Sequence, residues 1–183
     1  MGIAACSGSG ATSARKTSEE LFKEGMKDLE NRDFKDAQEK FSTVMLQDPS
    51  SEYADDAQYY LAESYFQDGD YKLAAFNYNR LRSAFQSSPF YRLALFRSAE
   101  AYDRASPSYD RDQSDTKTAI GVYQSFLNLY RGDSLASLAS ERILGLKTKL
   151  SQEEFSIAEQ YWKLDEFKAA MMYYGRVIEL YPD

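Results

Sequence analysis

The run from Ala57 to Pro89, AQYYLAESYFQDGDYKLAAFNYNRLRSAFQSSP, decides how this chain folds. Leu61, Ala62, Tyr65 and Phe66 recur at the i, i+1, i+4, i+5 spacing of one helical face. Asp68-Gly69-Asp70 then breaks the pattern, and Gly69 can take the positive φ that closes a helix. Beyond the break, Tyr71, Ala74, Tyr78, Leu81 and Phe85 follow at three- and four-residue steps. The stretch therefore reads as two amphipathic helices joined by a tight turn. Small residues, Ala62 and Ala74, fall where the helices must touch, and large aromatics fill the space beside them.

A small residue in the first helix, an aromatic three later, an alanine early in the second helix and an aromatic four later form the tetratricopeptide pattern. The unit recurs on both sides. An earlier copy over about residues 18–50 has Leu21, Phe22, Gly25 and Leu29 in its first helix, Asn31-Arg32-Asp33 as its turn and Ala37, Phe41, Val44 and Met45 in its second. The opening stretch is the second copy, about 55–89. A third, about 90–131, carries Leu95, Ala99 and Tyr102 and then Ala119, Tyr123 and Phe126. Ala74 lies 37 residues after Ala37, but Ala119 lies 45 after Ala74, so the third turn holds an insertion around Ser106–Gln113. Insertions in stacked repeats emerge on one face and often make contacts. A further helix is expected over 135–149. A last pair over about 151–182 has Phe155, Ala158, Tyr161 and Trp162, then Phe167, Ala170, Tyr174, Val177 and Ile178. The fold class is all-α: a tetratricopeptide superhelix of about nine helices over 17–183. Ala37, Ala74, Ala119 and Ala170 are read as structural repeat positions. The chain stops at Asp183 without the polar capping helix that normally closes a solenoid, which reads as a C-terminal truncation.

Composition excludes several functions. The 183 residues include no histidine, which removes Ser-His-Asp, Cys-His and His-ligated metal sites together. One cysteine forms no internal disulfide. The net charge of −7, without a Lys/Arg run, argues against nucleic acid as a partner. No paired-carboxylate motif and no G-x-x-x-x-G-K run is present, so neither an enzyme nor a cofactor is expected.

At the N-terminus, Ile3-Ala4-Ala5-Cys6 looks like a bacterial lipobox: an aliphatic residue, two small ones and the cysteine that receives the lipid. Ser7 to Ser13 reads as a flexible tether. Residues 1–16 are accordingly a signal-peptide remnant, lipobox and tether. The plainer alternative is a tail with an incidental cysteine.

The lipobox, the tether, a first repeat ending in Asp48-Pro49, the AQYYLAESYF helix, the loop Tyr109-Asp110-Arg111-Asp112-Gln113 and the closing FKAAMMYYGRVIELYPD together resemble the BamD (YfiO) family of outer-membrane lipoproteins. The resemblance implies a non-enzymatic scaffold of the β-barrel assembly machinery. It would sit on the periplasmic face of the outer membrane, held by lipid on Cys6. It implies binding to a BamA-like barrel protein through its POTRA domains, association with the other lipoproteins of that complex, and reception of signals from unfolded barrel substrates. Family members usually carry five repeats, and the fifth is not represented here. The alternative is another periplasmic repeat lipoprotein acting as an adaptor in cell-envelope complexes.

Each candidate site has a structural alternative. Tyr59, Tyr60, Tyr65 and Phe66 are either a groove for a peptide with an aromatic end or packing between helices. Packing leads for Tyr65 and Phe66, whereas one of Tyr59 and Tyr60 is expected to face outward. Tyr109, Asp110, Arg111, Asp112 and Gln113 are a partner contact or a self-contained turn whose aspartates cap a helix. The resemblance places Tyr161 on the surface facing BamA, with Trp162 and Tyr173 beside it. These residue types dominate interfaces but also fill cores, and for Trp162 the core reading leads. Arg176 adds a salt link to an acidic partner or is a solvated surface arginine.

The register makes a direct prediction. Ala74→Leu overpacks the helix contact at a cost of ~1–3 kcal/mol. Its thermal melt should shift well below that of the parent; overlaid curves would show the register to be wrong.

Overall fold

The computed structural model describes residues 15–180. Among these residues there are eight α-helices and no strand: α1 (Ser18–Asn31), α2 (Phe34–Gln47), α3 (Ala54–Asp68), α4 (Tyr71–Ala84), α5 (Tyr91–Ala105), α6 (Ser114–Leu129), α7 (Ala136–Lys163) and α8 (Phe167–Leu180). Each packs on the helices before and after it in sequence, as a solenoid requires. The lipobox with Cys6, the tether as far as residue 14 and the closing Tyr181-Pro182-Asp183 lie outside the described residues.

Local chemistry sets the helix ends. Thr17 and Glu20 form a reciprocal capping box at the start of α1: the Glu20 N–H donates to Thr17 Oγ1 at 3.2 Å, and the Thr17 N–H donates to Glu20 Oε2 at 2.8 Å. The carboxylate of Glu20 is held below its ordinary pKa, first by the backbone hydrogen bond from Thr17. Helix α3 ends on Gly69 at φ 88°, and α1 ends the same way on Arg32 at φ 67°. The left-handed closure thus recurs in the first repeat without a glycine.

The expected helix over 135–149 and the first helix of the last pair are one continuous helix of 28 residues, α7. Nothing between Thr148 and Phe155 breaks it, because Lys149-Leu150-Ser151-Gln152-Glu153-Glu154 contains neither proline nor glycine. At 1.5 Å per residue α7 runs about 42 Å. Its first half packs through Ala139, Ile143 and Leu146 on the core of α5 and α6; its second half packs on α8.

The core is a row of clusters. One joins Leu21, Leu29, Ala37, Phe41, Val44, Ala57 and Leu61. The next gathers Tyr59, Ala62, Ala74, Tyr78 and Leu81 with Ala94 and Ala101, and the third Leu95, Phe96, Ala99, Ala119, Tyr123 and Phe126. Ala37, Ala74, Ala119 and Ala170 are all fully buried. Gly25 occupies the small position of the first repeat, where an added Cβ would lie 2.8 Å from the ring of Phe41.

Polar side chains lock successive repeats together. Arg97 on α5 forks onto Glu63 of α3, with Nε to Oε1 and Nη2 to Oε2 both 2.7 Å, and also reaches Glu100 at 2.7 Å. The hydroxyls of Tyr59 and Tyr78 donate to the same Glu63 Oε1. The Arg97 guanidinium lies 4.1 Å over the Phe66 ring. Burial is the first cause that raises the pKa of both tyrosines, so both stay protonated donors. The Glu63 and Arg97 side chains are only 12% and 20% exposed, so removing one partner strands a desolvated charge. Arg97→Met should cost roughly 3 kcal/mol in urea unfolding, and pairing it with Glu63→Gln should recover part of that loss.

Candidate functional site

The insertion in the third repeat is braced from within. Gln113, 2% exposed, donates from Nε2 to the carbonyl oxygens of Ser108 (2.7 Å) and Arg111 (2.9 Å). Its Oε1 accepts from Thr116 Oγ1 at 2.6 Å. Thr116 shares a hydrogen bond with Ser106, whose Oγ also accepts from Lys149 Nζ on α7. A chain of polar contacts therefore runs from the loop backbone to the middle of the long helix. Asp112 Oδ1 accepts from the N–H of Ser114 (3.3 Å) and its Oγ (2.8 Å) at the first turn of α6. Asp110 accepts from Ser108 Oγ, which holds its carboxyl below the ordinary range.

The five loop residues thus divide. Gln113, for which the sequence leaves a partner contact and a self-contained turn both open, is interior, because two loop carbonyls and Thr116 need its amide. Tyr109 is 43% exposed, and Asp110, Arg111 and Asp112 are exposed around it. The structure brings Tyr109 and Asp110 against α7 beside Glu153, Ser156 and Gln160. The sequence carried no direct sign of this neighbourhood, since α7 begins more than twenty residues after the loop.

A second group lies on α7 and α8. Tyr161 stacks on Tyr173 with ring centroids 5.4 Å apart and planes 13° apart. Arg176 lies 5.3 Å over the Tyr173 ring and donates to Glu154 at 2.7 Å. Trp162, for which the core reading led, is 54% exposed and packs edge-on against Phe167. Among the described residues α8 alone covers that end of α7, and spacing could not tell which apolar residues of a two-sided helix face it. Leu164, Phe167, Met171, Met172 and Ile178 are also exposed, among the charged side chains of Lys163, Asp165, Glu166, Lys168 and Glu179.

The four aromatic groove candidates lie between the first three repeats. Tyr59 is 6% exposed and stacks on Phe90 at 4.4 Å, while Tyr60 touches Phe22, Phe41, Tyr59 and Phe90. Tyr59 is thus enclosed, while Tyr60 is half-buried. Tyr65 and Phe66 are half-buried, Phe66 between Tyr71 and Arg97. Sequence reading also missed Glu63 and Arg97, whose pairing depends on two neighbouring repeats.

This arrangement of stacked helix pairs, with loops and aromatic patches displayed at their ends, defines a tetratricopeptide protein. The chain belongs to the YfiO family, described as outer membrane lipoprotein, whose model matches residues 14–183. Among solved structures, the MamA protein matches with a TM-score of 0.50 and 17% identity, covering 89% of this chain and 91% of that one. A thermophilic TPR protein from Thermus thermophilus matches with a TM-score of 0.47 and 17% identity over 91% of this chain and 93% of its own. At that identity the MamA likeness concerns the fold alone. No curated protein matches.

Gln113→Leu removes the loop's internal donor and leaves two carbonyls and Thr116 without their partner. The expected loss is about 1–3 kcal/mol, with faster tryptic cleavage after Arg111 while helical content is kept. Unchanged cleavage would show that the loop is held some other way.

Proposed function

We propose that this protein is a lipid-anchored scaffold of the β-barrel assembly machinery, without catalytic activity of its own. Membership of an outer-membrane lipoprotein family over residues 14–183 carries this reading. No described helix is long and apolar enough to cross a membrane. In this reading attachment is through lipid on Cys6, on the periplasmic face. Lipid chains of this kind give stable anchoring when more than one is present.

In this reading the α7–α8 face receives the POTRA region of a BamA-like barrel protein. Trp162 and the stacked Tyr161–Tyr173 pair offer large, rigid apolar area. The exposed side of the insertion loop, Tyr109 to Asp112, is a second contact for the barrel protein or another lipoprotein of the complex. Unfolded barrel substrates engage the half-buried rings of Tyr60, Tyr65 and Phe66, where an aromatic chain end can insert beside existing rings.

Tagged protein extracted from outer membranes in mild detergent should bring down a POTRA-containing barrel protein in near-equal amount. Trp162→Ala should lower that recovery at least tenfold, with an unchanged melt, as expected for an exposed hot spot worth about 2 kcal/mol. Recovery of cell-wall or division proteins without the barrel protein would favour an envelope adaptor instead. Absence of labelled fatty acid on Cys6 would remove the anchor.

A further inference from the structure

The outer side of the insertion loop and the second half of α7 enclose two adjoining cavities that share Tyr109 and Ser156 as walls. The wider, about 410 Å³, is lined also by Gln152, Phe155 and Glu159. The narrower, about 140 Å³, is lined also by Asp110 and Glu153.

Three features of this cleft point to one kind of occupant. Its apolar walls are two aromatic rings, Tyr109 43% and Phe155 46% exposed, with Ile157 behind them in the narrower cavity. Its charged groups are all carboxylates: Asp110, Glu153 and Glu159. Among the described residues none of the three forms an ion pair. The nearby cations do not close on them: Arg111 stands beside Asp110 and Lys117 influences Glu153 without a salt bridge, while Arg176 is engaged by Glu154 at 2.7 Å. Glu153, in the narrower cavity, is partly buried, and burial first, then Glu154 and Asp112, raises its pKa. A guest cation would offset that burden. The third feature is unused hydrogen-bonding capacity. Elsewhere on α7, Ser140 and Thr148 donate back to the carbonyls of Ala136 and Leu144, whereas Ser156 makes no such bond.

A metal ion is not the occupant, since the described residues contain no group of three or more acidic or cysteine side chains placed to hold one. Aromatic walls suit a flat, weakly hydrated cation, which stacks on rings and forks onto a carboxylate at its edge. We propose that this cleft takes an arginine side chain from an extended segment of a partner polypeptide. Tyr109 and Phe155 flank the guanidinium, Glu153 and Asp110 accept its N–H groups, and Ser156 is free to bond the segment's backbone. The proposal rests on the reading of the loop as a partner contact and specifies the chemistry of that contact.

The test uses purified protein and short peptides, so it stands apart from recovery of any barrel protein. Two fluorescently labelled peptides of sequence GSFRFSG, one with arginine and one with its neutral isostere citrulline, are titrated by anisotropy at low and physiological salt. The arginine peptide should bind about tenfold tighter, the effect of one cation–π contact plus one partly screened ion pair. Glu153→Gln should abolish most of that preference, and Tyr109→Ala should weaken the arginine peptide. Glu39→Gln, exposed on α2, should change nothing, with thermal melts confirming that each variant is folded. Equal affinity for the two peptides, a preference that survives both cleft substitutions, or no binding of the arginine peptide at millimolar concentration would each overturn the proposal.

Discussion

The structure depends on the close approach of paired helices at positions that hold almost no side chain. Ala37, Ala74, Ala119 and Ala170 have no exposed surface, and Gly25 lies so near the Phe41 ring that a methyl group would collide with it. That closeness lets large rings wedge beside the contact: Phe41, Tyr78 and Tyr123 are fully buried four residues after their alanines. Interiors packed to this density tolerate little change in volume, so each small residue fixes the distance and its aromatic fixes the angle. Because helices pack mainly on their chain neighbours, the core is a row of linked clusters. Much of the remaining surface is left to display loops and side chains.

Polar contacts act on this frame differently in two places. Between the second and third repeats, Glu63 collects Arg97 and two tyrosine hydroxyls in a partly desolvated setting where both carboxylate oxygens accept hydrogen bonds. Such a group adds less net stability than its count of bonds suggests, because both charges gave up water; its clearer effect is to penalise any other register. In the third repeat, Gln113, Thr116, Ser106 and Lys149 turn an eight-residue departure from the repeat length into a fixed protrusion. A loop braced in this way loses little entropy on binding, which suits a contact surface.

Both candidate surfaces depend on α7. Its unbroken 28 residues join the third repeat to the last pair and place Glu153 and Ser156 under the loop while presenting Trp162 beside α8. Had the chain broken near Ser151, as two separate helices would require, the loop and the aromatic patch would belong to independently placed elements. Continuity makes them one rigid unit along their shared helix.

Much of this was legible in the sequence. The helical period, the Asp68-Gly69-Asp70 break, the buried alanines and the inserted loop are local signals, because backbone geometry and small-residue contacts act between residues close in the chain. Lipobox, loop and closing helix, taken in order, pointed to the family that the match over residues 14–183 shows. The tertiary structure alone decided which side of each two-sided helix is covered. It put Gln113 inside the loop and Trp162 at the surface, and it brought Arg97 onto Glu63 and Tyr109 over α7. Those outcomes turn on contacts between residues tens of positions apart. Periodicity gives the direction of a side chain around its own helix, but what stands opposite is set by the packing of the neighbouring repeat.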